Sequence, residues 1–197
     1  MLLMRSENLK IQSDQIAFDI DGVFADTFRV FVETARKEFG VLFDYEDITQ
    51  YDFRSVIDID EEISEHIIQR ILDDPIGMGI QPMSGAVDVL GRLLQNHPVL
   101  FVTARTQRAP ILQWIQRQLY FCNQKAINLV ATGTHREKLP ILLDHEIRYF
   151  VEDRLETCYL LRKVAVTPIV YEQPWNRKPH PFPTVKTWEE IAAMIDW

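Results

Sequence analysis

Cysteine, basic charge and long apolar runs are all scarce in this chain, and each scarcity narrows what the protein can be. The two cysteines, Cys122 and Cys158, have no short ligand spacing between them, which argues against a disulfide framework and against a thiolate zinc site. Lys and Arg number 21 against 29 Asp and Glu, a net charge of −8. A nucleic-acid polymer is therefore not an expected partner, since its phosphates call for clustered cations. A small anionic substrate stays compatible, because a metal and a few basic side chains can reverse the field locally. No apolar run approaches the roughly 18 residues of a membrane span. The opening Met1-Leu-Leu-Met is also too short for a signal-peptide core, so a cytoplasmic protein with no membrane partner is expected. Internal repeats and low-complexity tracts are absent from the sequence.

What is present suits one compact domain carrying a modest insertion. Apolar residues make up 47% of the 197, enough for a full core. Residues 1–14 read as a polar lead-in, and Ile16–Phe18 as a first strand. Phe28, Phe31, Val32, Ala35 and Phe39 then recur at helical spacing, with Gly40 as a stop. Residues 44–58 look loop-like, with the aromatics Tyr51 and Phe53, and 61–72 form a second amphipathic helix. Residues 28–80 thus read as a helical cap inserted into a core made of 1–27 and 81–197.

From Ser84, a candidate N-cap, helix and strand alternate. Strands are expected at Val99–Thr103, Ile127–Ala131, Arg148–Val151 and Val164–Tyr171. Helices are expected at 84–95, 108–120, from about Arg136, at 155–163 and over Thr187–Ile195. Pro168 marks the last strand as short or as an edge. Five apolar strands alternating with helices predict an α/β fold with a doubly wound, parallel, five-stranded Rossmann-like sheet.

The stretch Ile16-Ala-Phe-Asp-Ile-Asp-Gly-Val-Phe-Ala-Asp-Thr27 carries the most chemical information. Asp19 and Asp21 follow a short apolar run with one residue between them. Strand alternation brings both to one side, in the crevice beyond the carboxyl end of the strand, where open α/β sheets bind ligands. Two such carboxylates repel and need a cation, a proton or both. Mg2+ fits, being a hard ion that takes oxygen ligands and shares them with phosphate. The other strand ends carry matching groups: Thr103, Ala104 and Arg105 after the second, and Glu152 and Asp153 after the fourth. Lys138 lies near the start of the helix between the third and fourth strands. Carboxylates, a hydroxyl and an ammonium along one sheet edge suit phosphoryl transfer, where catalysis is mostly positioning and charge neutralisation.

With these four clusters the chain resembles the haloacid dehalogenase superfamily of phosphohydrolases. Asp19-Ile-Asp21-Gly-Val matches its first motif, Thr103 the second, Lys138 the third and Glu152-Asp153 the acidic fourth. Val151-Glu-Asp-Arg154 and Tyr171-Glu-Gln-Pro-Trp-Asn-Arg177 are similar to the 5′(3′)-deoxyribonucleotidase-like branch. That branch usually has Asp-Asp where this chain has Glu152-Asp153. The resemblance implies Asp19 as a nucleophile giving an aspartyl-phosphate and Asp21 as general acid and base. It implies Mg2+ held by Asp19, the Asp21 backbone carbonyl, Glu152 and Asp153. Thr103 and Lys138 would bind the phosphoryl oxygens, with Ala104 and Arg105 beside them. The implied substrate is a small-molecule phosphate monoester, nucleotide-like by the branch match. A sugar-phosphate phosphatase and a weakly catalytic binding protein stay open as alternatives.

Bland roles compete at several positions. Asp26 reads as a helix cap, and the five histidines lack ligand spacing. Arg136 and Lys125 are basic rivals of Lys138. Arg105 and Arg154 divide evenly between ion-pair and substrate roles. Phe24, Phe28, Phe31, Phe53 and Trp175 read first as packing aromatics.

Overall fold

The computed structural model describes residues 10–197. Its central sheet is entirely parallel and six-stranded. The strands are β2 (Ile16–Phe18), β3 (Val99–Thr103), β4 (Ile127–Ala131), β5 (Tyr149–Glu152), β6 (Thr167–Tyr171) and β7 (Thr184–Val185), in the order β4-β3-β2-β5-β6-β7. The chain runs outward from β2 through β3 to β4, then returns to the other side of β2 for β5. The first strand of the sheet is therefore central, flanked by β3 (Phe18 opposite Phe101) and β5 (Phe18 opposite Val151). Reversal of winding direction at β2 opens a crevice at its carboxyl end, the usual ligand position in such sheets.

Alternation along the strands sorts side chains onto two apolar layers. Phe18, Phe101, Val151 and Ile169 face one way, against α3 (Ala86–Asn96), α4 (Arg108–Gln118) and α7 (Trp188–Met194). Ala17, Leu100, Val102 and Phe150 face the other, against Leu142 of α5 (Lys138–Asp144) and Leu161 of α6 (Leu155–Leu161). The first layer has an aromatic centre. Phe24 stacks on Phe101 at 5.6 Å and meets Trp114 edge-on at 4.9 Å, while Phe18 stacks on Trp188 at 5.1 Å.

Several sequence expectations need correction. Thr184–Val185 adds a sixth strand that two residues of sequence could not announce. Val164–Tyr171 starts at Thr167, and β6 is internal because β7 pairs with its far end, at Val170 and Tyr171. Pro168 is tolerated there because its missing N–H faces the β7 side at a position before β7 begins; the next donor on that side, Val170 N, bonds Pro183 O. The fourth strand is Tyr149–Glu152 instead of Arg148–Val151, and the helix expected from Arg136 begins at Lys138. The polar lead-in contains a short strand, β1 (Ile11–Gln12), paired in parallel with β8 (Ile195–Asp196); residues 1–9 lie outside the described chain. Ser84 does not cap α3. Gly85 stands there in the left-handed region, at φ 77°.

Between β2 and β3 lie α1 (Thr27–Phe39) and α2 (Glu61–Asp73), packed on each other, with 3-10 turns at Tyr45–Asp47 and Phe53–Ser55. Helical spacing puts Phe31, Val32 and Ala35 on the buried face of α1, and Gly40 ends it in the left-handed conformation (φ 68°). Asp60 caps α2 by accepting the N–H groups of Glu62 and Ile63. The chain enters and leaves this helical segment through paired backbone. Asp26 N–H bonds Gln81 O at 2.9 Å, and Met83 N–H bonds Phe24 O at 2.7 Å. No helix among the described residues is long and apolar enough to cross a membrane.

Phe24 is fully buried at the junction of turn, sheet and helices. Replacing Phe24 by Ala should cost about 3–5 kcal/mol, read as a lower urea midpoint at unchanged slope.

Candidate active site

The carboxyl ends of β2, β3 and β5, with the start of α5, bring the charged residues of the sequence into one crevice. Asp19 directly follows β2; its N–H bonds Val151 O of β5 and its Oδ1 accepts the Ile20 N–H at 2.7 Å. Lys138 opens α5 and has no exposed surface. Its ammonium lies 2.7 Å from Asp19 Oδ2 and 2.9 Å from Glu152 Oε2. Glu152 Oε1 also accepts the backbone N–H groups of Asp153 and Arg154. Carboxylate oxygens of Asp19, Glu152 and Asp153 all lie within 4.8 Å of one another, and all three residues are buried.

The charge balance of this cluster decides which metals would fit it. Three buried carboxylates face one buried ammonium, leaving two negative charges uncompensated. Burial, with repulsion from Glu152, pushes the acids of both Asp19 and Asp153 well above the usual carboxylate range. Burial would raise Glu152 too, but the Lys138 charge and its hydrogen bonds outweigh this and hold it at about 2. An all-oxygen donor set short of two positive charges fits a hard divalent cation.

Asp21 has a separate partner. Arg105, 5% exposed, grips it with two donors, Nη2 to Oδ1 at 2.7 Å and Nε to Oδ2 at 3.0 Å. Thr27 Oγ1 donates to Asp21 Oδ1 at 2.6 Å. Burial acts to raise the Asp21 acid, yet the Arg105 charge and these bonds hold it below its ordinary value. Arg105 thus lies on the second aspartate, at the end of the strand beside β2. Its turn is fixed by its own N–H bonding Thr103 Oγ1 at 3.2 Å. Thr103 is buried at the end of β3, and Ala104 is half-buried between the two. Arg136 and Lys125, the rivals of Lys138, are exposed and take no part.

Gly22 permits the close approach of these parts. Its φ is +75°, and a Cβ there would sit 2.3 Å from Asp153 Oδ2 and 3.1 Å from the Trp175 ring. Sequence reasoning passed over other contributors. Thr27 orients Asp21. Trp175 donates its indole N–H to Asp153 Oδ2 at 3.0 Å, and Asn176 Nδ2 donates to Asp153 O at 2.8 Å. The Gln-Pro-Trp-Asn run, similar to the deoxyribonucleotidase-like branch, carried the signal for Trp175 and Asn176. Asp26 makes no capping bond and pairs with Arg29 instead.

A cavity of about 220 Å³ adjoins Asp21 and Thr27. Its other walls are Phe28, Phe31, Tyr51, Phe53, Ile68, Ile71 and Leu72, all from the helical segment. Phe31 and Phe53 therefore pack and line at once, which one sequence cannot separate. A larger hollow of about 850 Å³ between Arg177, Lys186 and Met194 contains none of the strand-end carboxylates. His135 lies at the crevice mouth, its ring 5.7 Å from that of Tyr51. Burial, then the Lys138 and Arg154 charges, lower it to about 4.

A parallel Rossmann-like sheet with acidic, hydroxyl and lysine groups at these strand ends defines a haloacid dehalogenase-type phosphohydrolase. Similarity in fold extends to a putative phosphoglycolate phosphatase from Lactobacillus plantarum (TM-score 0.56, 12% identity, 93% of this chain and 100% of that one). It extends also to a haloacid dehalogenase-like hydrolase from Streptococcus pneumoniae (TM-score 0.55, 14% identity, 95% and 98%). Residues 13–196 match the family described as 5′ nucleotidase, deoxy (pyrimidine), cytosolic type C protein, and the chain belongs to it. A nucleotidase of Clostridium acetobutylicum is 24% identical over 196 residues, covering 92% of this chain and 93% of the relative. The protein is a phosphatase of this nucleotidase family.

Two outcomes follow from the geometry. Gly22→Ala should lower the thermal midpoint, because it adds both a strained φ and a clash with Asp153. Folded His135 takes its proton near pH 4 and the unfolded chain near 6.5, so between these values the unfolded state binds more protons. Stability should fall as pH drops from about 6.5 to about 4, and His135→Gln should flatten that part of the urea-midpoint profile.

Proposed function

We propose that the protein is a Mg2+-dependent phosphomonoesterase that works through an aspartyl-phosphate on Asp19, with a nucleotide-like monoester as substrate. The observation that carries this reading is the buried Asp19 carboxylate, oriented by Lys138 within a carboxylate cluster two positive charges short of balance.

Asp19, Glu152 and Asp153, with the Asp21 backbone carbonyl, would hold the ion, which supplies positive charge to the phosphoryl oxygens. Lys138 offsets the repulsion between Asp19 and an incoming phosphate dianion, and Thr103 with the 103–105 turn offers hydrogen bonds to the remaining oxygens. Asp19 Oδ attacks phosphorus while the ester oxygen leaves and takes a proton from Asp21. Water, deprotonated by Asp21, then attacks the phosphorus of the acyl phosphate and regenerates Asp19. Arg105 keeps Asp21 ionised in the free enzyme, ready for the second half. The first half needs a protonated Asp21, which the arriving dianion favours by raising the local negative potential.

Residues 28–80 act in this reading as a cap over the crevice, excluding water while the phosphate is transferred. The cavity beside Asp21 favours a planar apolar moiety such as a nucleobase. A sugar phosphate would find few hydroxyl partners among Phe28, Phe53, Ile68 and Leu72. The two unpaired cysteines agree with a cytoplasmic location.

Phosphate release should be assayed with Mg2+ on deoxyribonucleoside and ribonucleoside monophosphates, sugar phosphates and an aryl phosphate. Nucleotides should give the highest kcat/KM, and Asp19→Asn should lower it by at least about 10³-fold, in line with loss of a catalytic nucleophile. Activity surviving Asp19→Asn, or no hydrolysis of any panel member, would sink the proposal. Asp153→Asn should weaken Mg2+ binding, measured by calorimetry.

A further inference from the structure

The sequence holds four tryptophans, and their indole N–H groups do not do the same thing. Trp114 donates to Ile80 O, Trp188 to Val23 O and Trp197 to Ala192 O, each a backbone carbonyl. Trp175 alone donates to a carboxylate, that of Asp153, at 3.0 Å. Its side chain is 3% exposed, so this bond is not shared with bulk water.

The segment around Trp175 grips the site and the helical insertion together. On the site side, Asn176 Nδ2 holds the Asp153 carbonyl, and Gln173 Nε2 donates to Gly22 O at 2.7 Å. On the insertion side, the Trp175 ring lies 4.4 Å from that of Phe28 and 5.8 Å from that of Tyr45. Tyr45 O–H donates to Gln173 Oε1 at 2.8 Å, and Glu46 pairs with Arg177. A bond from Gln173 N to Asn176 Oδ1 keeps this turn rigid.

We infer that Trp175 is a positioning residue: its indole N–H sets the rotamer of Asp153 for the cation, and its ring carries that setting to Phe28 and Tyr45. Cation binding and docking of the insertion on the core are thereby coupled. The inference rests on the proposed Mg2+ site. Its physical basis is that a buried carboxylate beside Glu152 and Asp19 is driven away from them by repulsion. A single fixed donor, itself wedged between Gly22 and Phe28, holds it in place. Groups that orient metal ligands are typically worth about 10- to 100-fold in metal affinity.

Mg2+ titration of the free enzyme by calorimetry, without substrate, compares wild type with Trp175→Phe, which keeps the ring and deletes the donor. The variant should bind Mg2+ about 10-fold or more weakly. Hydrogen exchange across residues 28–55 should slow when Mg2+ is added to wild type and change little in the variant. A variant-free measurement follows the four indole N–H resonances of 15N-labelled wild type during the titration. One of them, the Trp175 signal, should move well beyond the other three. Equal Mg2+ affinity of the two proteins, or no indole response in a wild type that binds Mg2+, overturns the inference. A wild type that binds no Mg2+ at millimolar concentration overturns the metal site itself. Should Trp175→Phe not fold, the indole titration decides, and Tyr45→Phe provides the second variant. Tyr45→Phe, which deletes the bond to Gln173, should weaken the exchange protection of 28–55 and, because coupling is reciprocal, Mg2+ affinity with it; loss of protection at unchanged Mg2+ affinity, or no loss of protection, counts against the coupling.

Discussion

The ammonium of Lys138, held between Asp19 and Glu152, is the contact on which the rest of the site depends. Three ionised carboxylates could not share this buried volume without a positive charge among them. Lys138 can serve because it opens α5, so its backbone is anchored by a helix whose Leu142 is packed under the sheet. Burial would lower its proton affinity, yet the two carboxylates raise it further, so it stays charged. Removing one member of such a buried set is far more damaging than its net contribution to stability suggests, because the others remain buried and unpaired.

Neutralisation by Lys138 is partial, and that incompleteness is what makes the cluster useful. A fully balanced network would be a structural ion pair. Here, in the proposed function, a divalent cation would relieve the repulsion that the residual negative charge stores, and would link ligand binding to local stability. Asp21 is kept out of this cluster by Arg105 and Thr27. Two aspartates one residue apart are thus placed in different electrostatic surroundings: Asp19 is pushed towards protonation by burial and its neighbours, and Asp21 is held charged by a bidentate guanidinium. Such a separation of proton affinities is the usual way a pair of like groups takes on unlike tasks.

Legibility in the sequence follows the range of the interactions involved. The strands β2, β3, β4 and β5 were readable because each is a short, mostly apolar run ended by polar residues. The grouping of Asp19, Thr103, Glu152 and Asp153 was readable because parallel strands put all such ends on one edge, and Lys138 because it opens the helix that leads into β5. By contrast, β7 has two residues and exists only because β6 offers free donors beside it. Ser84 lost the capping position to Gly85, whose left-handed φ a residue with a side chain rarely adopts. Asp26 turned to Arg29, a rotamer choice that composition does not reveal.

The sequence by itself determined the fold class and the types of charged group at the strand ends, while the central place of Ile16–Phe18 came from the strand order of the sheet. The first two rest on period-two alternation and on strand ends, both properties of the local chain. Tertiary structure decided the pairings: Arg105 with Asp21 across 84 positions, Trp175 with Asp153 across 22, and Gln173 with Gly22 across 151. It also decided that Phe28, Phe31, Tyr51 and Phe53 would wall a cavity beside Asp21. A charged or aromatic side chain has several partners within reach of its rotamers. Only the packing of the elements around it selects one, through the cost of leaving any buried polar group unsatisfied.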